Sequence, residues 1–248
     1  MPRVVAIIPA RLGSTRFPRK VLASNTGHPM LWHVCERTRQ GKMVDEVLVA
    51  TDSDEVRDAM RPFEIRTLMT DASHTNGTSR IAQAAEELGL DENDIVVNVQ
   101  GDEPELDPAL IDACVRALLD SDIPMATVGS PFEDREDPSD PNIVKVVTEQ
   151  RGRALYFSRA LIPHDRESSG DVQRLKHVGL YAFRYWFLRR YVDLEPTPLE
   201  RCESLEQLRV LEHGHDIAVV TMPTSHHGID TTEQYRAFVE RWRSAHPG

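Results

Sequence analysis

The sequence predicts an α/β protein built on a doubly wound, mostly parallel sheet with a mixed-strand extension. Three observations carry that prediction. Through Leu119, strand-like apolar runs alternate with segments of helical spacing, the pattern of a parallel sheet covered on both faces. Three polar loops follow strands of this half, where ligands bind in open α/β sheets. After Met125 the rhythm changes to strand-rich segments flanking a polar loop. At 248 residues the chain can bury a substantial core without disulfides or metals, and residues 1–248 read as one domain.

Each element has a local reason. "VVAIIP" (Val4 to Pro9) is an apolar run of strand length, and a loop follows to Gly27. Pro29 sits where a helix can start, and Leu31, Val34, Cys35 and Thr38 repeat at helical spacing. "EVLVAT" (Glu46 to Thr51) is the second strand; Asp52 or Ser53 can cap the helix that follows. A third strand is expected near Ile65 to Met69, then a helix over Thr78 to Leu88. "DIVVNVQ" (Asp94 to Gln100) ends in "GDEP" before a helix beginning near Asp107. "KVVTEQRGRALYFSR" and "KHVGLYAFRYWF" read as mixed or antiparallel strands around a polar loop from Pro163 to Arg174. A helix over Ser204 to Gly214, a strand "DIAVVTM" and a last helix from Thr231 complete the chain.

Composition narrows the function. The formal net charge of −11 argues against nucleic-acid or anionic-membrane partners, which need a basic face. No run approaches the roughly 20 apolar residues of a membrane span. The N-terminus lacks the basic, apolar and cleavage regions of an export signal, and Cys35, Cys114 and Cys202 lie far apart as three small core residues. A cytoplasmic protein is expected.

Against that acidic background, "ARLGSTRFPRK" concentrates Arg11, Arg16, Arg19 and Lys20 around Gly13, Ser14 and Thr15. A charge run is ordinarily a solvated loop. Its position at the end of the first strand instead favours a phosphate site, in which backbone N–H groups and fixed cations surround a polyphosphate. It matches neither the P-loop nor the dinucleotide fingerprint. "NGTSR" (Asn76 to Arg80) puts Gly77, Thr78 and Ser79 at a helix start, readable equally as a cap or as a nucleotide contact. "VVNVQGDEP" presents Gln100 and Asp102 just past a buried strand, where a carboxylate can hold Mg²⁺ against substrate phosphates.

"IIPARLGSTRFPRK", "SHTNGTSRI", "VVNVQGDEP", "ALYFSRALIPHDR", "KHVGLYAFR", "LEQLRVL" and "GIDT" stand in the order and approximate spacing of the 3-deoxy-manno-octulosonate (Kdo) cytidylyltransferases, which the chain resembles over almost its whole length. The resemblance implies a Rossmann-like nucleotidyltransferase fold and cytidylyl transfer from CTP to Kdo, an acidic eight-carbon sugar, giving CMP-Kdo and pyrophosphate for lipopolysaccharide synthesis. It implies that Arg11 and Lys20 hold the triphosphate with Arg16 assisting, and that Ser14, Gly77, Thr78, Arg80 and Gln100 belong to the CTP site. Asp102 and Asp230 match the metal-binding aspartates for Mg²⁺; Arg11, Lys20, Asp102 and Asp230 are the catalytic set. His177, Tyr181, Glu206 and Gln207 match the sugar-binding positions. A homodimer is implied, with a strand insertion within 143–192 as its surface.

Some of this stands on the residues alone. His177 and Tyr181 are an even number apart and so share one face of a strand. Taken singly, His177 reads as a core histidine and Glu206 as a solvated helix position. Two positions depart from the family pattern: Arg19 stands where glycine usually precedes the loop lysine, and "TSHHG", with His226 and His227, replaces the small residues ahead of Asp230. Adjacent histidines rarely chelate together. The competing readings are a cytidylyltransferase for another acidic sugar, such as an amino-substituted Kdo or a sialic acid, and a non-catalytic nucleotide-binding module.

Overall fold

The computed structural model describes residues 1–13, 16–74, 76–167, 169–170, 172–225 and 228–246. Strands β1 (Val4–Ala10), β2 (Glu46–Thr51), β3 (Thr67–Met69) and β4 (Ile95–Asn98) are parallel and ordered β3-β2-β1-β4. Their connections are α1 (Met30–Arg39), α2 (Asp54–Met60) and α3 (Gly77–Glu87). β1 lies between two parallel neighbours and is buried on both faces, so it reads as a continuous apolar run. Val4, Ala6 and Ile8 enter one core layer, and Val5 and Ile7 the other. Ile7 and Ile8 are fully buried, each worth about 1.5–3 kcal/mol of transfer free energy.

The helix starts follow their caps. Ser53 accepts from the Val56 amide, Asn76 from Ser79 and Asp107 from Ala109 at the start of α4 (Pro108–Leu119). Thr231 forms a capping box with Gln234 at the start of α8 (Thr232–Ala245).

The second half completes the sheet with reversed strands. Beside β4 runs the antiparallel β8 (Leu175–Arg184), then β5 (Met125–Pro131) and, parallel to β5, β9 (Ile217–Thr221). The hairpin of β6 (Lys145–Thr148) and β7 (Ala154–Ser158) pairs with β8 through β6. Along β8 the pairing with β5 shifts: Val178 faces Val128 but Tyr181 faces Thr127. Gly179 and Leu180 are therefore two extra residues, and an even insertion leaves the alternation of faces intact.

One strand was not expected and three expectations need correction. Met125–Pro131, where the rhythm changes, is itself an inner strand, and its Gly and Ser hide that in sequence. "YWF" leaves the strand: α5 (Tyr185–Val192) starts at once, because the Tyr185 and Trp186 amides find the Asp94 and Glu92 carbonyls while Tyr185, Phe187, Leu188 and Tyr191 bury. The helix expected over Ser204 to Gly214 is shorter, α7 (Gln207–Glu212), and is preceded by α6 (Pro198–Glu203). Cys35 and Cys114 are buried, their thiols pushed up to about 12 by burial, but Cys202 is exposed on α6. Among the described residues no helix is long and apolar enough to cross a membrane.

Candidate active site

The sheet brings the loops after β1 and β4 together. Glycine suits position 101, since a Cβ there would crowd the Pro9 carbonyl oxygen at 3.0 Å. This close approach sets the "QGDEP" turn against the end of β1. The Ile229 amide then donates to the Asp102 carbonyl at 2.8 Å, which brings the segment before α8, and with it Asp230, alongside Asp102.

Lys20 stands between the two aspartates. Its Nζ is 2.5 Å from Asp102 Oδ2, 3.0 Å from Asp230 Oδ1 and 3.1 Å from the Ile229 carbonyl oxygen. Arg16 reaches the other Asp230 oxygen at 2.9 Å. These residues line a cavity of about 410 Å³ with Arg11, Gly13 and Gln100. Burial works to lower the Lys20 pKa, yet its net direction is up because two carboxylates surround the ammonium. Burial also raises Asp102, with Lys20 pulling it back. At 2.5 Å the contact between Lys20 and Asp102 is a charge-assisted hydrogen bond, ammonium to carboxylate.

Arg19 has a physical explanation. Its φ of 59° lies in the left-handed region, which is where glycine is favoured. Its side chain turns away from the cavity to an ion pair with Glu55, in the first turn of α2.

A second cavity, of about 480 Å³, adjoins the first and shares Gln100. Gly77 and Thr78 from α3, Asn98 from β4, Tyr181 from β8 and Glu206 and Gln207 from the start of α7 line it. Two fully buried polar atoms in its wall, Asn98 Oδ1 and Gln207 Nε2, have no hydrogen-bond partner. Unpaired buried groups of this kind are costly, and a polar ligand would satisfy them. Thr78 Oγ1 donates to Glu206 Oε2 at 3.4 Å. Glu206 is pushed up by burial rather than solvated as its position in sequence suggests.

Most of the sequence-predicted residues converge on these two cavities, and two described ones do not. Arg80 is buried on α3, donating to Thr70 Oγ1 at 2.5 Å and to Asp52 Oδ2 at 3.0 Å, so its charge ties the ends of β2 and β3 together. His177 packs behind Tyr181, with ring centroids 5.4 Å apart, and its Nε2 lies 2.9 Å from Thr127 Oγ1. The Thr127 hydroxyl also lies 2.8 Å from the Leu180 carbonyl oxygen and 3.3 Å from that of Val178. Burial lowers the His177 pKa to about 3 and keeps the ring neutral. Ser14, His226 and His227 lie outside the described residues.

Sequence reasoning missed Asn98 and Arg159, both of which line the second cavity. Arg159 stands in the quoted "ALYFSRALIPHDR", where its charge at a strand end was the available signal. A larger cavity of about 850 Å³, with Arg37, Phe238, Arg241 and Trp242 in its wall, lies beyond Ile229 and holds none of the predicted site residues.

Among the described residues no group of three or more His, Cys, Asp or Glu could hold a metal. The two-carboxylate set of Asp102 and Asp230, with the Ile229 carbonyl, is all-oxygen and already seats a cation, the Lys20 ammonium. Such a set suits Mg²⁺, which takes one or two carboxylates and completes its shell from substrate phosphates and water.

The family profile described as Cytidylyltransferase matches residues 5–217. The chain is 46% identical to the 3-deoxy-manno-octulosonate cytidylyltransferase of Geobacter metallireducens, over 96% of this chain and 97% of that protein. It is 50% identical to the same-named protein of Leptothrix cholodnii, over 92% and 87%. A solved CMP:2-keto-3-deoxy-manno-octonic acid synthetase complexed with CTP superposes with a TM-score of 0.92 at 36% identity, covering 98% of this chain and 99% of that one. A cytidylyltransferase structure from Leptospira borgpetersenii, 18% identical with a TM-score of 0.64 over 100% and 89%, shares the fold. The chain belongs to the 3-deoxy-manno-octulosonate cytidylyltransferase family.

Proposed function

We propose that the protein transfers the cytidylyl group of CTP to Kdo, giving CMP-Kdo and pyrophosphate. The observation that carries this reading is the pair of adjoining cavities sharing Gln100: one pairs cations with two carboxylates, the other presents unpaired buried polar groups. The first fits a metal-bound triphosphate and the second a polyhydroxylated acid. Arg159 supplies the cation that the sugar's carboxylate needs.

In the reaction the sugar's anomeric oxygen attacks the α-phosphorus, the bond from that phosphorus to the bridging oxygen breaks, pyrophosphate leaves and the hydroxyl proton passes to solvent. Arg11, Arg16 and Lys20 neutralise the charge growing on the leaving group. Gln100, exposed to both cavities, aligns acceptor and donor, so rate comes chiefly from positioning. Asp102 and Asp230 would hold Mg²⁺. When bound, that ion supplies charge neutralisation and orientation of the phosphates. Tyr181, raised well above its ordinary pKa by burial, stays a neutral hydrogen-bonding group.

We place the reaction in the cytoplasm and the active form as a homodimer. Leu155, Leu161 and Val172, 61%, 43% and 62% exposed, support the segment 143–192 as the dimer surface. Pyrophosphate release measured over a panel of nucleoside triphosphates and acidic sugars, including amino-substituted Kdo and sialic acid, tests the function. Release with CTP and Kdo is expected; release only with another sugar, or none, overturns it.

A further inference from the structure

Lys145 is a charged side chain with no exposed surface, and the reaction described above does not use it. It opens β6 between Ser158 of β7 and Lys176 of β8. Its Nζ donates to three carbonyl oxygens: Asp140 at 3.0 Å, Ile143 at 2.7 Å and Arg159 at 2.5 Å. Among the described residues no carboxylate lies within ion-pair distance of it. A buried ammonium held only by neutral carbonyls is a costly way to stabilise a core, since an apolar side chain of similar volume would avoid the desolvation.

What these three carbonyls share is Arg159. One belongs to Arg159 itself, at the exit of β7. The other two bracket Pro141, whose own carbonyl accepts from Arg159 Nη1 at 3.1 Å. Two more of the guanidinium's five N–H donors go to the carbonyls of Glu203, from Nε at 2.8 Å, and of Ser204, from Nη2 at 3.4 Å. The Glu203 carboxylate takes the Arg159 amide at 2.9 Å and the Ser158 hydroxyl at 2.6 Å. Lys145 thus fixes both the backbone that carries Arg159 and the loop that steers its guanidinium. The ammonium of Lys145 and the guanidinium of Arg159 repel each other in this frame, and the Asp140, Glu203 and Asp137 carboxylates near Lys145 offset that repulsion.

We infer that Lys145 is a positioning residue for the acid group of the sugar, acting through Arg159; the inference rests on the proposed sugar site. Lys145→Met keeps the volume and removes the donors. It is expected to raise the KM for Kdo at least tenfold while leaving the KM for CTP within twofold. It should also narrow the preference of the enzyme for inhibition by a Kdo-like acid over its carboxamide, a readout that general loosening would not move. Lys145→Gln, which retains two donors, should recover part of both effects. The wild-type enzyme run in parallel separates this from the function itself: if it turns over CTP with a different acidic sugar, the same split is read with that sugar. An equal rise in both KM values, no change in either, an unaltered acid preference, or failure of both variants to fold would each overturn the role.

Discussion

The two cavities solve opposite electrostatic problems. In the first, the two carboxylates already have partners: Lys20 and Arg16 occupy Asp102 and Asp230. In the second, Asn98 Oδ1 and Gln207 Nε2 are buried without one. A ligand entering the first must exchange partners, whereas a ligand entering the second satisfies groups held in place by β4 and α7. The proposed triphosphate half is therefore a switchable ion network, and the proposed sugar half a preformed mould.

The largest expected effect breaks the first half outright. Asp102→Asn keeps the shape and a hydrogen-bond acceptor for Lys20 but removes a charge. Turnover should fall by about 10³-fold, with circular dichroism unchanged; wild-type turnover would remove Asp102 from the machinery. Lys20→Met separates exchange from binding. The KM for CTP should rise about 10- to 100-fold, the worth of one charge-assisted hydrogen bond. The nucleotide-free variant should at the same time bind Mn²⁺ more tightly by calorimetry, because the internal cation no longer competes for the two aspartates. Weaker Mn²⁺ binding would show that Lys20 organises the carboxylates rather than occupying their place.

The mould is tested by pH. His177 titrates near 6.5 when unfolded and at about 3 when folded, so its folded pKa is depressed for a base. Its contribution to stability is full above pH 6.5 and is lost as pH falls toward 3, while the unfolded chain takes up a proton that the folded one refuses. His177→Gln should flatten thermal stability across that window by at most about 1.4 kcal/mol per pH unit. An unchanged profile would mean that the ring is solvated.

Arg19→Gly gives the smallest effect. Relief at φ 59° gains about 1 kcal/mol and loss of the exposed pair with Glu55 costs 0–1 kcal/mol. The melting temperature should move by only a few degrees and the KM for CTP by less than about threefold, measured by calorimetry and initial rates.

The same contrast governs what could be read from sequence. β2 was legible at Glu46–Thr51, and Ser53, Asp107 and Thr231 were legible near their helix starts, because burial on both faces and capping are local signals. The loops of the first cavity could be read for the same reason: charge stands out in an acidic chain. The second half is made by tertiary pairing. Met125–Pro131 becomes a strand because β8 and β9 flank it, and Tyr185–Val192 becomes a helix because an aromatic face buries there. The family resemblance assigned Arg80 to the nucleotide, but the inward face of α3 commits it to Asp52. Neither the orphaned state of Asn98 nor the tethering of Arg159 by Lys145 has any trace in residue spacing.

The two additional residues in β8 carry a consequence for how this family can change length. Leu175, Tyr181 and Phe183 join one core layer and Val178, Leu180 and Ala182 the other. Gly179 and Leu180 form one full pleat, so the strand could shed or gain residues there only in pairs. A single deletion would invert everything on one side of it, exchanging Tyr181 with Ala182 and turning the cavity wall inside out. Variation in the second cavity is thereby quantised: side chains at its rim can drift one substitution at a time, but its depth along β8 can change only in steps of two.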